Sequence, residues 1–436
     1  MRRIARAVSV VAALAGVASA NGRAPATSTI HFRQGHEQDI AAGMTFGLLL
    51  SHDGGTTWQW MCENAVGYGG VWDPDYSYSS SGALFATTFS GLKVMRNGCT
   101  FDSTPPGNLF VSTDELGGNG ELLFASVDQT DDKIYKSIDD GMSFPASTTP
   151  PGAMLNDWYT NLYIEPSDPS KVWVAAYRFS GNTKTLFIYK SVDGGANFTA
   201  VTLSGIPAPV NATTLFIGGV DSLGNVYARV SYPAGALADI IYKLTPTGTS
   251  WTQVFTKADE ISFLVRSNGD LVAATRTQGT YVSPDQGTTW TALTNPPHIG
   301  CLTENSAHEI WACTQNYADA MANIPSDGYG IMKTTDLATW SGVLKYQDIA
   351  GPVMCAAGTP QQDMCVKTNW CGLQMQLGIT ATPIDCSAPM VDAPPDAGSG
   401  SGTPPPKGCC DTGSGNAPPV LIGLLVAVTL LRRKRC

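Results

Sequence analysis

The sequence predicts an all-β fold, and three of its features support that prediction. Short runs of Val, Ile, Tyr, Phe and Trp, bounded by Gly, Asp, Asn and Pro, recur along all 436 residues, as they do in strands joined by tight turns. Long helical patterns are scarce. The phrase SHDGGTTW at residues 51–58 returns as SPDQGTTW at residues 283–290, which predicts that one structural unit is repeated along the chain.

Further copies of this phrase divide the chain into units of similar length. Two of them keep the full pattern Ser-x-Asp-x-Gly-x-x-aromatic, and three degenerate copies keep part of it. These five copies are SIDDGMSF (137–144), SVDGGANF (191–198), VMRNGCTF (94–101), LTPTGTSW (244–251) and TTDLATW (334–340). Successive copies begin 39 to 54 residues apart, which is the length of one four-stranded propeller blade. The spacing predicts a seven-bladed β-propeller over residues 21–350, with eight blades as the alternative.

The strands of each blade can be placed around these phrases. In the fourth blade we expect an inner strand at 161–166, a second at 171–179, a third at 185–193 and an outer strand at 198–203. The first and sixth blades repeat the same order of apolar runs and turns. The phrase therefore follows the third strand of its blade and leads into the fourth.

Each position of the phrase has a physical role in a turn. An Asp carboxylate accepts hydrogen bonds from backbone N–H groups a few residues on, and Gly adopts the positive φ that a tight turn requires. The phrase resembles the Asp-box, or BNR repeat, of sialidase-like and sortilin-like propellers. That resemblance implies that these turns lie on the face opposite the usual substrate cleft. It implies a structural role for the carboxylates of Asp53, Asp139, Asp193, Asp285 and Asp336.

The two ends of the chain are typical of processing signals. Residues 1–20 combine three Arg, an apolar stretch and Ala18-Ser19-Ala20, which predicts a signal peptide and export. Residues 387–419 form a Pro/Gly/Ser-rich linker that contains Cys409 and Cys410, and residues 420–436 form an apolar run with a basic end. This tail resembles the C-terminal sorting signal of exported myxobacterial proteins.

The resemblance of the tail implies a location and a partner. It implies that a sorting or processing protease acts at the signal and that Cys409 or Cys410 marks the point of processing and anchoring. We expect the chain at the cell surface or outer envelope, with release to the extracellular space as the alternative. Contact with a membrane is expected only through the tail, whose basic end should stay on the cytoplasmic side.

Charge and cysteine content exclude some classes of function. Residues 21–408 contain 19 basic and 35 acidic side chains, a net charge of −16, so binding to nucleic acid is not expected. Eight cysteines in the part predicted to fold are expected to form disulfides in an oxidising compartment. No cysteine or histidine group has the spacing of a zinc site, and we expect neither a metal nor a cofactor.

The positions of the cysteines favour a particular pairing. Cys301 with Cys313, and Cys355 with Cys365, would each join a first strand to a second strand. Cys62 with Cys99 would tie two adjacent blades, which leaves Cys371 with Cys386. Residues 351–386 are therefore expected to be a disulfide-rich cap, with a partial eighth blade as the alternative.

Candidate catalytic residues are few. A sialidase-like site would need Arg side chains that grip a carboxylate, and Arg33, Arg178 and Arg276 lie on predicted inner or second strands. An inverting glycosidase would need two carboxyl groups, and Asp73 with Asp75 lie beside Trp72 and Tyr76. The alternatives are that the Arg form structural ion pairs and that the Asp belong to turns.

A dense polar segment, HFRQGHEQD at residues 31–39, either approaches the mouth of the propeller or solvates a loop. Since no complete catalytic set is present, we expect a non-catalytic binding module for a glycan or a surface protein. The alternative is a glycoside hydrolase, exo-sialidase-like or acting on a β-glucan. The fold cannot decide between them, because function depends on the loops.

Overall fold

The described residues form seven sheets, one per blade, in which the four strands of each blade are antiparallel. A computed structural model of the chain describes residues 23–386 apart from 70–72, 129, 156, 182, 209–212, 232–237, 382–383 and 385. The predicted signal peptide and the predicted linker and sorting segment, including Cys409 and Cys410, lie outside the described residues.

The first four blades follow one another along the chain. Blade 1 comprises β1 (Thr27–Phe32), β2 (Ile40–Met44), β3 (Gly47–Ser51) and β4 (Gln59–Met61), followed by helix α1 (Glu63–Val66). Blade 2 comprises β5 (Tyr76–Tyr78), β6 (Leu84–Thr88), β7 (Gly91–Met95) and β8 (Phe101–Ser103). Blade 3 comprises β9 (Val111–Leu116), β10 (Leu122–Ser126), β11 (Ile134–Ser137) and β12 (Ala146–Thr148). Blade 4 comprises β13 (Asp157–Ile164), β14 (Val172–Ser180), β15 (Thr183–Ser191) and β16 (Thr199–Val201).

Three more blades complete the set. Blade 5 comprises β17 (Thr214–Val220), β18 (Val226–Ser231), β19 (Asp239–Leu244) and β20 (Thr252–Lys257). Blade 6 comprises β21 (Ile261–Val265), β22 (Leu271–Thr275), β23 (Thr280–Ser283) and β24 (Thr291–Ala292). Blade 7 comprises β25 (Cys301–Glu304), β26 (Ile310–Cys313), β27 (Ile331–Thr334) and β28 (Ser341–Leu344).

The first strand of each blade lies at the centre of the ring. Within every blade the strands pair in chain order, and each first strand also contacts the first strand of the next blade. β25 of blade 7 contacts β1 of blade 1, so the circle closes. The predicted seven-bladed β-propeller of four-stranded blades is confirmed.

Burial follows from the position of a strand within its blade. All five residues are buried in each of β2, β3, β6, β10 and β22, because both faces of a blade pack against neighbouring blades. Outer strands such as β24 are exposed. The apolar core therefore lies in layers between blades, and one layer joins Leu123 of blade 3 to Leu162 and Val174 of blade 4.

Residues after blade 7 do not form another blade within the described part of the chain. They comprise a 3-10 turn (Tyr346–Asp348), strand β29 (Gly351–Pro352), a π-helix (Gln361–Asn369) and helix α2 (Trp370–Leu377). β29 pairs in parallel with β4, the outer strand of blade 1. Trp370 is fully buried and packs on Trp60 of blade 1, with ring centroids 5.7 Å apart. The segment thus covers the outer edge of blade 1, and the eight-bladed alternative is wrong.

The disulfides connect this segment to the ring. The eight cysteines of the described residues are all paired, as Cys62–Cys365, Cys99–Cys355, Cys301–Cys313 and Cys371–Cys386. The last two pairs agree with the prediction, whereas Cys62–Cys99 and Cys355–Cys365 are wrong. Cys365 lies on a helix rather than in a hairpin with Cys355, and the segment passes along blades 1 and 2. Its cysteines therefore meet those of the two blades. Four disulfides indicate an exported protein.

Candidate ligand-binding face

The ring has two faces with different connections. Adjacent strands are antiparallel, so the turns between third and fourth strands lie at the same end as the connections between first and second strands. We call this side the turn face. The backbone N–H of Gly54 accordingly donates to Gln38 O at 2.9 Å, and that of Gly194 donates to Ser170 O at 2.7 Å. The opposite side, with the connections between second and third strands and between blades, is the strip face.

The repeated phrases form the same hydrogen-bonded turn on the turn face. In blade 4, Ser191 Oγ donates to Asp193 Oδ1 at 2.7 Å and accepts from Gly195 N at 2.9 Å. Asn197 donates its backbone N–H to Asp193 Oδ1 and its side-chain amide to Asp193 Oδ2, both at 2.8 Å. These donors lower the pKa of Asp193 to about 2, with the Asn197 side chain making the largest contribution. The carboxylate is fully occupied by its own turn.

The carboxylates of the other phrases have the same partners. Asp53, Asp139 and Asp285 each accept from the Ser two residues earlier and from the backbone N–H four residues later, and Asp336 accepts from Thr334 and from Thr339 N. The pKa of Asp139 is lowered to about 2, chiefly by the Ser143 hydroxyl. The five aspartates therefore lie apart, each within one turn, and do not share a pocket.

A glycine in these turns contacts the preceding blade. Gly55 and Gly141 have φ of 88° and 73°. A Cβ at Gly55 would lie 2.8 Å from Val343 Cγ1 of blade 7, and one at Gly141 would lie 2.5 Å from Phe85 Cε1 of blade 2. Glycine is thus required both by backbone conformation and by close packing between blades.

The three candidate arginines do not converge. Arg33 follows β1 on the turn face and donates to Asp39 Oδ2 and Ser80 O, both at 2.8 Å. Arg178 lies near the strip-face end of β14 and pairs with Asp157 through two hydrogen bonds. Arg276 follows β22 and donates to Gln315 Oε1 at 2.8 Å. Each guanidinium has a different set of partners.

The candidate pair Asp73 and Asp75 is also divided between two environments. Asp73 forms a two-pronged ion pair with Arg23, at 2.7 and 2.8 Å. Asp75 is half-buried just before β5 and accepts from Thr113 Oγ1 of blade 3 at 2.9 Å. Burial raises the pKa of Asp75 to about 6. Tyr76 is buried, and Trp72 lies outside the described residues.

Two further carboxyl groups lie near Asp75. They belong to β9, the innermost strand of blade 3. Asp114 is 1% exposed, and neither of its carboxylate oxygens has a hydrogen-bond partner among the described residues. Burial, followed by the charge of Asp75, raises its pKa, and burial with the charges of Asp75 and Asp114 raises that of Glu115. We call these three groups the inner carboxyl cluster. Asp114 and Glu115 were not predicted as site residues, although two acids in the largely buried strand VSTDEL were a usable signal.

The polar segment at 31–39 contributes to a pocket on the turn face. Asp39 accepts from Arg33 and lies 2.7 Å from His52 Nδ1, which belongs to the first repeated phrase. The pocket has a volume of about 390 Å³ and is lined by Gly35, His36, Glu37, Gln38, Asp39 and His52. In the part of the chain that the structure describes, no three His, Cys, Asp or Glu side chains are grouped so that they could hold a metal ion.

A continuous row of aromatic rings crosses the strip face. Its members, which we call the aromatic strip, are Phe89, Phe110, Trp158, Tyr177 and Phe179. Successive ring centroids are 4.6, 5.0, 6.2 and 5.5 Å apart. The strip begins in the turn between β6 and β7 of blade 2, passes the start of β9 and β13, and ends on β14 of blade 4. The two end residues are half exposed, Phe89 at 52% and Phe179 at 50%.

One lysine lies against the outer end of the strip. Lys184 pairs with Phe179 across the β14–β15 hairpin, and its Nζ is 3.7 Å from the Tyr177 ring centroid and 5.3 Å from that of Phe179. Although it is a lysine, it is only 6% exposed. Burial lowers the pKa of its ammonium group to about 8. No sequence signal distinguished this lysine from the others.

Comparisons with known proteins found similarities among solved structures alone. No protein-family model matches the chain, and no curated protein matches it. Among solved structures, the chain is similar to PorZ, a surface component of the type-IX secretion system of Porphyromonas gingivalis, with 15% identity and a TM-score of 0.48. It is similar to the GH74 xyloglucanase from Xanthomonas campestris, with 15% identity and a TM-score of 0.46.

The extents of these matches are also limited. The match to PorZ covers 71% of this chain and 46% of PorZ, and the match to the xyloglucanase covers 75% of this chain and 61% of that enzyme. The chain therefore spans less than two thirds of the length of either structure. Among the described residues, no helix has the length and apolar character needed to cross a membrane.

Proposed function

We propose that this chain is an exported, envelope-anchored propeller that acts as a non-catalytic binding module for a glycan or a protein. The observation that supports this function is the aromatic strip, which spans three blades and is half exposed at both ends. Aromatic rings provide large, rigid contact areas at low entropic cost. On the turn face, in contrast, the repeated phrases use their polar groups within their own turns.

Binding through the strip can be tested by substitution at its open ends. Phe89→Ser and Phe179→Ser should each weaken binding to the glycan or envelope protein that the chain recognises by about tenfold, since loss of one aromatic contact that the ligand would cover costs about 1–2 kcal/mol. The ligand is found with a glycan array and an envelope-protein overlay. The matched control is Leu223→Ser, because Leu223 is 63% exposed in the turn between β17 and β18 on the turn face. Equal effects of all three substitutions would contradict the proposal.

We infer that the tail anchors the chain, because its linker, apolar run and basic end resemble a sorting signal. Deletion of residues 409–436 should release the chain into the medium, and replacement of both Cys409 and Cys410 by Ala should have the same effect. Cell fractionation with an antibody to the propeller measures the distribution. Retention of both variants in the envelope would contradict an anchoring role for this segment.

A glycoside hydrolase is the second candidate, and the inner carboxyl cluster favours it. A carboxyl group with a pKa near 6, as at Asp75, is suited to general acid catalysis. Fluorogenic sialosides and β-glucans provide the assay, with Asp75→Asn as the inactive comparison. If the wild-type protein cleaves one of these substrates and the variant does not, the binding-module proposal is wrong and the chain is a glycoside hydrolase.

A further inference from the structure

Several connections on the strip face of blades 2 to 5 contain no charged residue. Acidic and basic side chains make up 14% of the whole chain. None occurs in the described part of the connections that lead into β9, β13 and β17, at residues 104–110, 149–155 and 202–208, or in the β6–β7 turn at residues 89–90. A partner can cover such a surface without removing a charge from water.

The turn face of the same blades is charged. The connection between β13 and β14 contains Glu165, Asp168 and Lys171, and the repeated phrases supply further carboxylates. Because residues 21–408 have a net charge of −16, the uncharged connections are an exception on a strongly acidic chain. Depletion of charged side chains, together with enrichment in Phe, Tyr, Trp and Met, distinguishes the core of a protein–protein interface.

Two exposed apolar side chains lie at the same end of blade 4 as the aromatic strip. Met154 and Leu155 are 60% and 53% exposed in the loop that leads into β13. The backbone N–H of Met154 donates to Asp157 Oδ2 at 3.1 Å, and Arg178 donates to Gly152 O at 2.8 Å. Asp157 and Arg178 therefore position the loop, so less conformational entropy is lost when a partner covers it.

A carboxylate lies at the margin of this surface, in the turn between β10 and β11. The backbone N–H of Val127 joins that turn to the strip by donating to Phe110 O at 2.8 Å. Asp128 is partly exposed and accepts from Thr130 N and Oγ1 at 2.9 and 2.7 Å. It forms no ion pair in the described part of the chain. A basic side chain of a partner would complement it, and the negative charge of the whole chain favours basic partners.

We propose that the strip face of blades 2 to 4 binds a protein whose contact surface is apolar and uncharged at its centre and has a basic side chain at its margin, opposite Asp128. This inference rests on the proposed function and selects a protein rather than a glycan as its ligand. A glycan has several hydroxyl groups per sugar unit, each of which needs a hydrogen-bond partner when it is covered. Met154 and Leu155 offer no strong donor or acceptor, whereas they can bury apolar side chains of a protein favourably.

The test uses the full exported chain and a library of random peptides displayed on phage, followed by affinity measurements on the selected peptides after synthesis. The selected sequences should be rich in apolar residues and contain Lys or Arg. Met154→Ser and Leu155→Ser should each weaken their binding about tenfold, the loss typical of an important apolar contact. Met142→Ser is the matched control, because Met142 is 65% exposed on the turn face, and it should leave the affinity unchanged.

The basic contact is tested by a separate substitution. Asp128→Asn keeps the Oδ1 acceptor of the turn and removes the charge, so it should weaken binding about threefold at low salt and have no effect at about 1 M salt. Asp168→Asn is the control, because Asp168 Oδ1 also accepts from the backbone N–H and the hydroxyl of the residue two positions on, Ser170, but lies on the turn face. Selected peptides that contain acidic residues and no basic ones would overturn the inference.

A glycan array with the same variants separates this inference from the proposed function. A glycan whose binding is lost in Phe179→Ser, together with peptides that bind wild type and Met154→Ser equally, would overturn the protein inference and keep the binding function. If neither a peptide nor a glycan binds in a way that the strip-face substitutions change, both proposals are wrong. Urea unfolding of each variant should match wild type, because the substituted side chains are at the surface.

Discussion

The two halves of the ring are stabilised by different means. Blades 7, 1 and 2, with residues 351–386, form what we call the closure half, and all four disulfides lie there. Blades 3 to 6 contain no cysteine and are held by apolar layers and hydrogen-bonded turns. The strip extends from the margin of the closure half into blades 3 and 4.

The difference follows from chain connectivity. Neighbouring blades 3 to 6 are consecutive in the sequence, so bringing them together costs little loop entropy. Closure brings together segments about 300 residues apart, as the separation of 303 between Cys62 and Cys365 shows, and that costs more. Covalent cross-links offset this cost where it arises.

The largest expected effect is the loss of a closing disulfide. Replacing Cys62 and Cys365 together by Ser should lower the free energy of unfolding by about 4 kcal/mol, because the cross-link restrains a long loop in the unfolded chain. Urea unfolding measures the change. Hydrogen exchange should show lost protection first in blade 1 and residues 351–386. Greater loss in blades 3 to 6 would contradict the division into two halves.

A smaller effect is expected where a turn of blade 1 meets blade 7. Gly55→Ala should cost about 2–4 kcal/mol, because its Cβ would lie 2.8 Å from Val343 Cγ1 and its φ is 88°. Gly54→Ala is the matched control. Its φ is also positive, but nothing lies within 4 Å of the added Cβ, so only about 1 kcal/mol of backbone strain is expected. Equal losses in urea unfolding would show that packing between blades 1 and 7 is loose.

The smallest effect concerns the pH dependence of the inner carboxyl cluster. The raised pKa of Asp114 means that the folded state keeps a proton which the unfolded state releases above about pH 4. Its contribution to stability is therefore complete below that pH and is lost as pH rises. Asp114→Asn cannot ionise and should reduce the decline in unfolding free energy between pH 5 and pH 8. A steeper decline in the variant would rule out a neutral Asp114.

The turn face has the opposite dependence on pH. The lowered pKa of Asp139 and Asp193, about 2 in each, gives a contribution that is present above the ordinary Asp pKa near 4 and lost as pH falls toward 2. The free energy of unfolding of the wild-type protein should therefore fall as pH drops from about 4 toward 2, and also as pH rises above about 4. The acid limb should become shallower in Asp139→Asn with Asp193→Asn, because Asp53, Asp285 and Asp336 also have lowered pKa values, and should be unchanged in Asp114→Asn.

Much of the ring was predictable from local sequence. In blade 4 the expected second and third strands, 171–179 and 185–193, agree within two residues with β14 and β15. The inner strand was expected to begin at residue 161 but begins at Asp157. It continues toward the strip face beyond the apolar run from which it was predicted. Glycines of the repeated phrases were expected for their positive φ. Their contacts with the preceding blade could not be read from one phrase.

Less of the candidate site was predictable. The strip draws its members from three blades and follows no repeat, and Phe89 and Phe179 are ordinary aromatic residues in the sequence. Arg178 and Asp75 were candidates because of their residue types. The structure places Arg178 in a local ion pair with Asp157 and Asp75 beside Asp114 and Glu115. Which acid is buried depends on the neighbouring blade.

The spacing of the blades and the position of each turn were determined by the sequence alone, because they depend on local patterns that recur along the chain, whereas the structure decided that residues 351–386 do not add an eighth blade. Tertiary structure decided the cysteine partners, the path of the aromatic strip and the burial of Lys184. These depend on which distant residues meet when the ring closes, and on how much water they lose there.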